Sequence, residues 1–211
     1  MTRRRLSMFA AVVAASAATV LDARPAFAGP PLLCFPFNIG HARTLPMGPD
    51  GWRSIDPKYD ASHLVDDTMA LLGADTPIIV RMETLRRATV YAGVNPRMGD
   101  ALLSAVEAHA KTATPDAALS MFDLGYLVET YRQAAPVFRG GVLPSVGQID
   151  GYGLVQKAMA FREDPQIEFA AAVIAAAPRR PEYAAHLRNA EAASKADALL
   201  ASNLTTRFQQ P

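Results

Sequence analysis

From Asp60 onward, apolar residues recur at spacings of three and four, and no stretch alternates with a period of two. That pattern predicts helices and gives strands no support. In "PIIVRMETLRRATVYA", Ile78, Met82, Leu85 and Thr89 share one face. Leu119, Phe122, Tyr126 and Thr130 do the same further on, and Leu64, Val65, Met69 and Leu72 form an earlier stripe that Gly73 should end. Tyr152, Val155 and Met159 line a helix starting near Asp150. "PQIEFAAAVIAAA" is apolar on nearly every side, as a central helix should be. Tyr183, Leu187 and Ala190, then Leu200, Leu204 and Phe208, complete the set.

Helix starts are marked by a capping residue followed by proline: Thr76-Pro77, Asn95-Pro96 and Thr114-Pro115. Thr or Asn can accept a hydrogen bond from the first turn, and proline at the first helical position lacks only an N–H that would be unpaired anyway. The three prolines are 19 residues apart, which suits a helix of about 15 residues and a short turn, so that two units make a helical hairpin of about 38 residues. Gly93 should terminate the first of these helices. Asp164-Pro165 and Arg180-Pro181 mark two more starts outside that period. The expected fold is all-α: stacked antiparallel helical hairpins in a solenoid-like bundle over residues 59–211, interrupted by a Gly- and Pro-rich loop at about 136–149.

The N-terminus has a different character. Arg3, Arg4 and Arg5 precede 16 uncharged residues, Leu6 to Leu21, and Ala26-Phe27-Ala28 forms a small-x-small end. These are the parts of a secretory signal, cleaved after Ala28, and the apolar run is short for a membrane span of about 20 residues. "TRRRLSM" resembles a twin-arginine export signal, although Ser7 stands where a second large apolar residue is usual, so the Sec route stays open as well. Removing residues 1–28 takes the formal net charge from +1 to −2. The mature chain is then mildly acidic, without the clustered Lys and Arg of a nucleic-acid binder and without a second run long enough to span a membrane. The expected location is periplasmic or secreted.

Residues 29–58 read as an extended strap whose Leu32, Leu33, Phe35 and Phe37 dock on the helices. The strap holds Cys34, the single cysteine, so an internal disulfide is excluded. Leu32 and Leu33 are too large for a lipidation site. A buried apolar role suits this thiol best, with metal or redox chemistry as the alternative.

Three charged residues stand where the stripes predict burial: Arg86, Asp123 and Glu168. Desolvating a charge is costly, so Asp123 is expected to pair with Arg86 or another arginine on a neighbouring helix. "SHLVDD" places His63 one turn from Asp66 and Asp67, a spacing that suits a solvated helix surface best, with metal or acid–base work as the alternative; with Cys34 and His41 these make the weak metal or redox candidates. His109 and His186 stand alone on their helices. There is no phosphate-cradling loop, dinucleotide fingerprint, H-E-x-x-H or G-x-S-x-G, and no cofactor is predicted.

Two resemblances concern architecture alone. "MFDLGYLVETYRQA" resembles the first helix of a tetratricopeptide-type repeat through Leu124, Gly125, Tyr131 and Ala134, which implies close helix packing at the glycine. Gly29-Pro30-Pro31 with a cysteine soon after is similar to the mature start of uncharacterised exported bacterial proteins. The leading functional expectation is a binding or scaffold protein for a peptide, protein or envelope component, with Tyr91, Tyr126, Tyr131 and Tyr152 in a groove between helices. The alternatives are an exported metal- or cofactor-dependent enzyme, or assembly through the strap. Oligomeric state is open.

Overall fold

The structure, a computed structural model, describes residues 29–112, 117–138, 146–177 and 180–208. Those residues form eight α-helices and no strand: α1 Leu64–Leu71, α2 Ile78–Ala92, α3 Pro96–Thr112, α4 Ala117–Ala134, α5 Gly151–Phe161, α6 Pro165–Ala176, α7 Tyr183–Ala193 and α8 Ala198–Phe208. Single turns of 3-10 helix precede α1 (Ala61–His63) and α8 (Ser194–Ala196). No helix among the described residues is long and apolar enough to cross a membrane.

Local chemistry sets most of the starts. Asn95 accepts from the Arg97 N–H, Asp150 from Gly153, and Asp164 from Gln166. Each satisfies a first-turn donor that has no partner within the helix. Pro77 departs from expectation: it precedes α2 instead of occupying its first position, and the Thr76 hydroxyl donates back to the Leu71 carbonyl. The cap of α2 comes from across the fold, where Gln166 of α6 accepts from the Ile79 N–H at 2.9 Å. Its amide donates at 2.7 Å to Asp197, which caps α8 through the Leu200 N–H. The start at Thr114-Pro115 lies outside the described residues. Gly93 does end α2, but with a right-handed φ of −65°. What needs glycine there is space, since a Cβ would lie 2.5 Å from the Phe138 ring.

The helices share one core. α4 packs on α5, α2 and α3, and α6 packs on α7 and α5. α2 and α4 both reach α6, and α8 closes on α6 as well. Such contacts run past the neighbours a repeat would meet in a simple stack. The arrangement is a bundle, and the 19-residue spacing does not propagate beyond α4. The α4–α5 crossing is close because two glycines face each other: a Cβ on Gly125 would sit 2.5 Å from the Gly151 carbonyl, and one on Gly151 would sit 2.7 Å from that of Gly125.

α2 occupies the middle. Every residue in it except Arg87 is buried, including Arg81, Glu83 and Arg86. Before the first 3-10 turn, residues 29–60 have no helix or strand, yet Leu32, Leu33, Phe37 and Leu45 belong to the same apolar core.

Candidate functional site

The four tyrosines do not line a groove. Tyr91, Tyr126, Tyr131 and Tyr152 are each at most 3% exposed. They sit on the inward stripes, where a large ring is worth most out of water. The Tyr91 hydroxyl donates to the Pro46 carbonyl at 2.9 Å and accepts from the Asp56 N–H at 3.1 Å. Tyr131 donates to the Gly99 carbonyl at 3.2 Å, and Tyr126 stacks on Phe122 with ring centres 5.7 Å apart.

Asp123 does pair with an arginine of α2, but with Arg81 at 2.6 Å and not with Arg86. Arg81 is oriented by the Thr76 and Gly73 carbonyls beyond the start of α2. One Asp123 oxygen, Oδ1, has no hydrogen-bond partner. Full burial outweighs the Arg81 charge and hydrogen bond and pushes the Asp123 carboxyl up to about 7. Arg86 is claimed instead by Glu83, one turn earlier on the same helix, through two contacts of 2.7 and 2.8 Å. Glu83 also accepts from Arg87 at 2.7 Å and from the Phe37 N–H at 2.9 Å. Burial alone would raise the Glu83 carboxyl, but the Arg86 hydrogen bonds and charge, with Phe37 and Arg87, hold it below its ordinary value.

The weak metal candidates do not converge. His41 and Asp66 are exposed, His63 lies 3.7 Å from Asp60, and Asp67 accepts from the Tyr59 hydroxyl at 2.7 Å. Cys34 is half-buried, and burial raises its thiol more than nearby Arg53 and Arg86 lower it. Among the described residues no three His, Cys, Asp or Glu side chains come together to hold a metal ion.

The arrangement that does come together lies where α4, α5, α6 and α7 meet. An open cleft of about 510 Å³ is bounded by Glu129, Arg132 and Gln133 of α4, the 147–150 turn, and Ala177 and Arg180 after α6. Glu129 accepts from the Tyr152 N–H at 3.0 Å and pairs with Arg132, which also donates to the Ile149 carbonyl. The Arg180 guanidinium lies 4.3 Å from the centre of the Tyr152 ring, within cation–π range.

Beneath that ring runs a chain of side chains. The Tyr152 hydroxyl is 2.8 Å from His186 Nε2, His186 Nδ1 is 2.6 Å from Glu168 Oε2, and Asn189 donates to Glu168 Oε1 at 3.0 Å. Burial raises the phenol above its ordinary value, with Glu182 and Glu168 adding to the shift and Arg180 opposing it. The phenol is therefore protonated at neutral pH. Where it donates to Nε2, the imidazole proton resides on Nδ1 and points at Glu168. This carboxylate–imidazole–phenol chain links α6, α7 and α5. Glu168 announced a need for a partner by standing alone in an apolar run, but His186 carries no local signal of meeting it. Arg132, Arg180 and Gln133 likewise have no sequence signature. Compared with known protein families, curated proteins and solved structures, the chain matches none of them.

Proposed function

We propose that the protein is an exported binding protein whose ligand is a peptide or an exposed segment of an envelope protein, received in the cleft beside Arg180. One observation carries the reading: the cleft wall mixes two guanidinium groups, two carboxylates and the amides of Gln133 and Gln148. A peptide brings donors and acceptors of its own and can satisfy such a wall. An apolar ligand could enter the cleft but would offer these groups no hydrogen-bond partner beyond those the protein already supplies. The signal-like residues 1–28 support an extracytoplasmic setting.

A photo-crosslinking amino acid at Gln148, in protein exported by living cells, tests this. The expected result is a peptide adduct, mapped by mass spectrometry, that the same group at exposed Lys58 does not give. Equal or no adduct at Gln148 would end the proposal. N-terminal sequencing of the exported protein should begin at Gly29; retention of residues 1–28 would contradict the export half.

A second reading, an exported enzyme, is favoured by the Glu168–His186–Tyr152 chain, which has the order of an acid–base relay. Its phenol is 3% exposed and does not border the cleft, so the chain serves more readily as a clip between helices.

A further inference from the structure

The main chain of residues 30–46 is held in an unusual way. It has no helix or strand of its own; two turns, at residues 30–34 and 39–42, satisfy part of its main chain, and side chains projecting from the helices meet much of the rest. Gln133 of α4 accepts from the Leu32 N–H at 3.0 Å, and Glu83 of α2 accepts from Phe37 at 2.9 Å. Arg86 donates to the Leu33 carbonyl at 3.2 Å, Arg87 to that of Leu45 at 2.6 Å, and Tyr91 to that of Pro46. Asn203 of α8 grips one residue from both sides: its oxygen accepts from the Asn38 N–H at 2.9 Å while its amide donates to the Asn38 carbonyl at 2.8 Å. Between these contacts Leu32, Leu33, Phe37 and Leu45 enter the core, and Phe37 meets Phe169 of α6 edge-on.

Main-chain hydrogen bonds hold this segment and apolar pockets take its side chains, the same division of labour by which proteins recognise a bound peptide. The receiving groups are also held by contacts within their own helices. Glu83, Arg86 and Arg87 are tied to each other within α2, and Asn203 is tied to the Leu199 carbonyl within α8. Past Pro46 the chain closes on itself, with the Gly48 N–H donating to the Ser54 carbonyl and Gly51 at a left-handed φ of +85°. That loop separates the held segment from the helical body.

We propose that the groove formed by α2, α4, α6 and α8 is a receptor for a turned, apolar, non-helical segment, filled here by residues 30–46 and able to take the same residues of a second copy of this chain. The second copy is the occupant the structure favours. Every contact that residues 30–46 make with the helices would be reproduced between two chains, so the exchange gives up only the contacts of the 48–54 loop, such as Gly48 N–H to the Ser54 carbonyl, which must open.

The test begins with the full mature chain carrying a protease site between Met47 and Gly51, folded and then cut. A fluorescent peptide of residues 29–47 is expected to enter the cut protein one for one, and a scrambled peptide is not. Methylating the main-chain nitrogen of residue 38 in that peptide should weaken uptake about tenfold, as one lost hydrogen bond predicts. Asn38→Ala leaves the main chain intact and should change uptake less than about threefold. Equal uptake of the scrambled or N-methylated peptide would overturn the receptor. For the second copy, intact chains with two different tags are unfolded together and refolded at high concentration. A mixed dimer is expected, at a yield that Asn203→Ala changes by less than about threefold, because that contact is present in both the closed chain and the exchanged pair; a larger change would mean the exchanged segment does not occupy the same site. Monomer alone at every concentration would overturn the exchange.

Discussion

Glu83→Gln should be among the most damaging single substitutions in the molecule. The carboxylate is fully buried and accepts four hydrogen bonds, two from Arg86, one from Arg87 and one from the Phe37 N–H. Glutamine keeps one acceptor oxygen and turns an N–H₂ toward guanidinium donors. Arg87 is 21% exposed and can find water, so its loss is small. Arg86 is 1% exposed and cannot. Removing one partner of a buried ion pair costs about 3–5 kcal/mol. For a chain of this size each kcal/mol shifts Tm by about 2–4 °C, so the melting point should fall by roughly 6–20 °C. Thermal unfolding followed by circular dichroism at 222 nm, with a urea titration at pH 7, measures it. Adding Arg86→Met to Glu83→Gln should recover part of the loss by removing the orphaned charge. Recovery stays partial because Arg86 also donates to the Leu33 and Trp52 carbonyls. A Glu83→Gln protein within about 1 kcal/mol of its parent would refute the argument that the network depends on this charge. The pH dependence has a definite sign. A carboxyl held below its ordinary value stabilises the fold above about pH 4.3 and loses that contribution as pH falls through the folded value.

Asp123 should behave in the opposite sense. Its folded value is raised to about 7, so its contribution is present below about pH 3.9 and is lost as pH rises through about 7, on the order of a few kcal/mol. Unfolding free energies of the parent and Asp123→Asn, compared at pH 5 and pH 8, should show the parent falling further behind at pH 8; parallel curves would contradict this. Gly125→Ala places a methyl 2.5 Å from the Gly151 carbonyl and should destabilise by about 1–3 kcal/mol or more in the same urea assay, and a neutral effect would mean the α4–α5 crossing can slide apart. Tyr152→Phe removes the hydroxyl that faces His186 Nε2 and should cost about 1–3 kcal/mol. Cys34 should react with iodoacetamide at pH 8 several-fold more slowly than glutathione, because burial reduces both its thiolate fraction and its access.

Several features were legible because they are local. Asn95, Asp150 and Asp164 cap helices by reaching donors two or three residues away, a distance the chain itself guarantees. The glycine in "DLGYL" marks a close crossing for a similar reason, since a missing side chain leaves room whichever helix arrives. Glu168 and Asp123 showed that partners must exist, but the partners were a matter of arrangement. Asp123 found Arg81 because the start of α2 lies level with the middle of α4, and Glu168 found His186 of α7, 18 residues on. The tyrosines misled for a physical reason: an aromatic residue at helical spacing marks a buried face, and only packing decides whether that face meets a ligand or another helix.

The order of polar and apolar residues by itself determined that this chain forms capped helices with inward stripes, because both depend on interactions within one or two turns. Only the tertiary structure decided that α2 lies at the centre, that Gln166 caps it from α6, and that Asn203 grips Asn38 across 165 positions. Such contacts form between elements whose separation along the chain says nothing of their distance in space. They are set by how eight helices share one core.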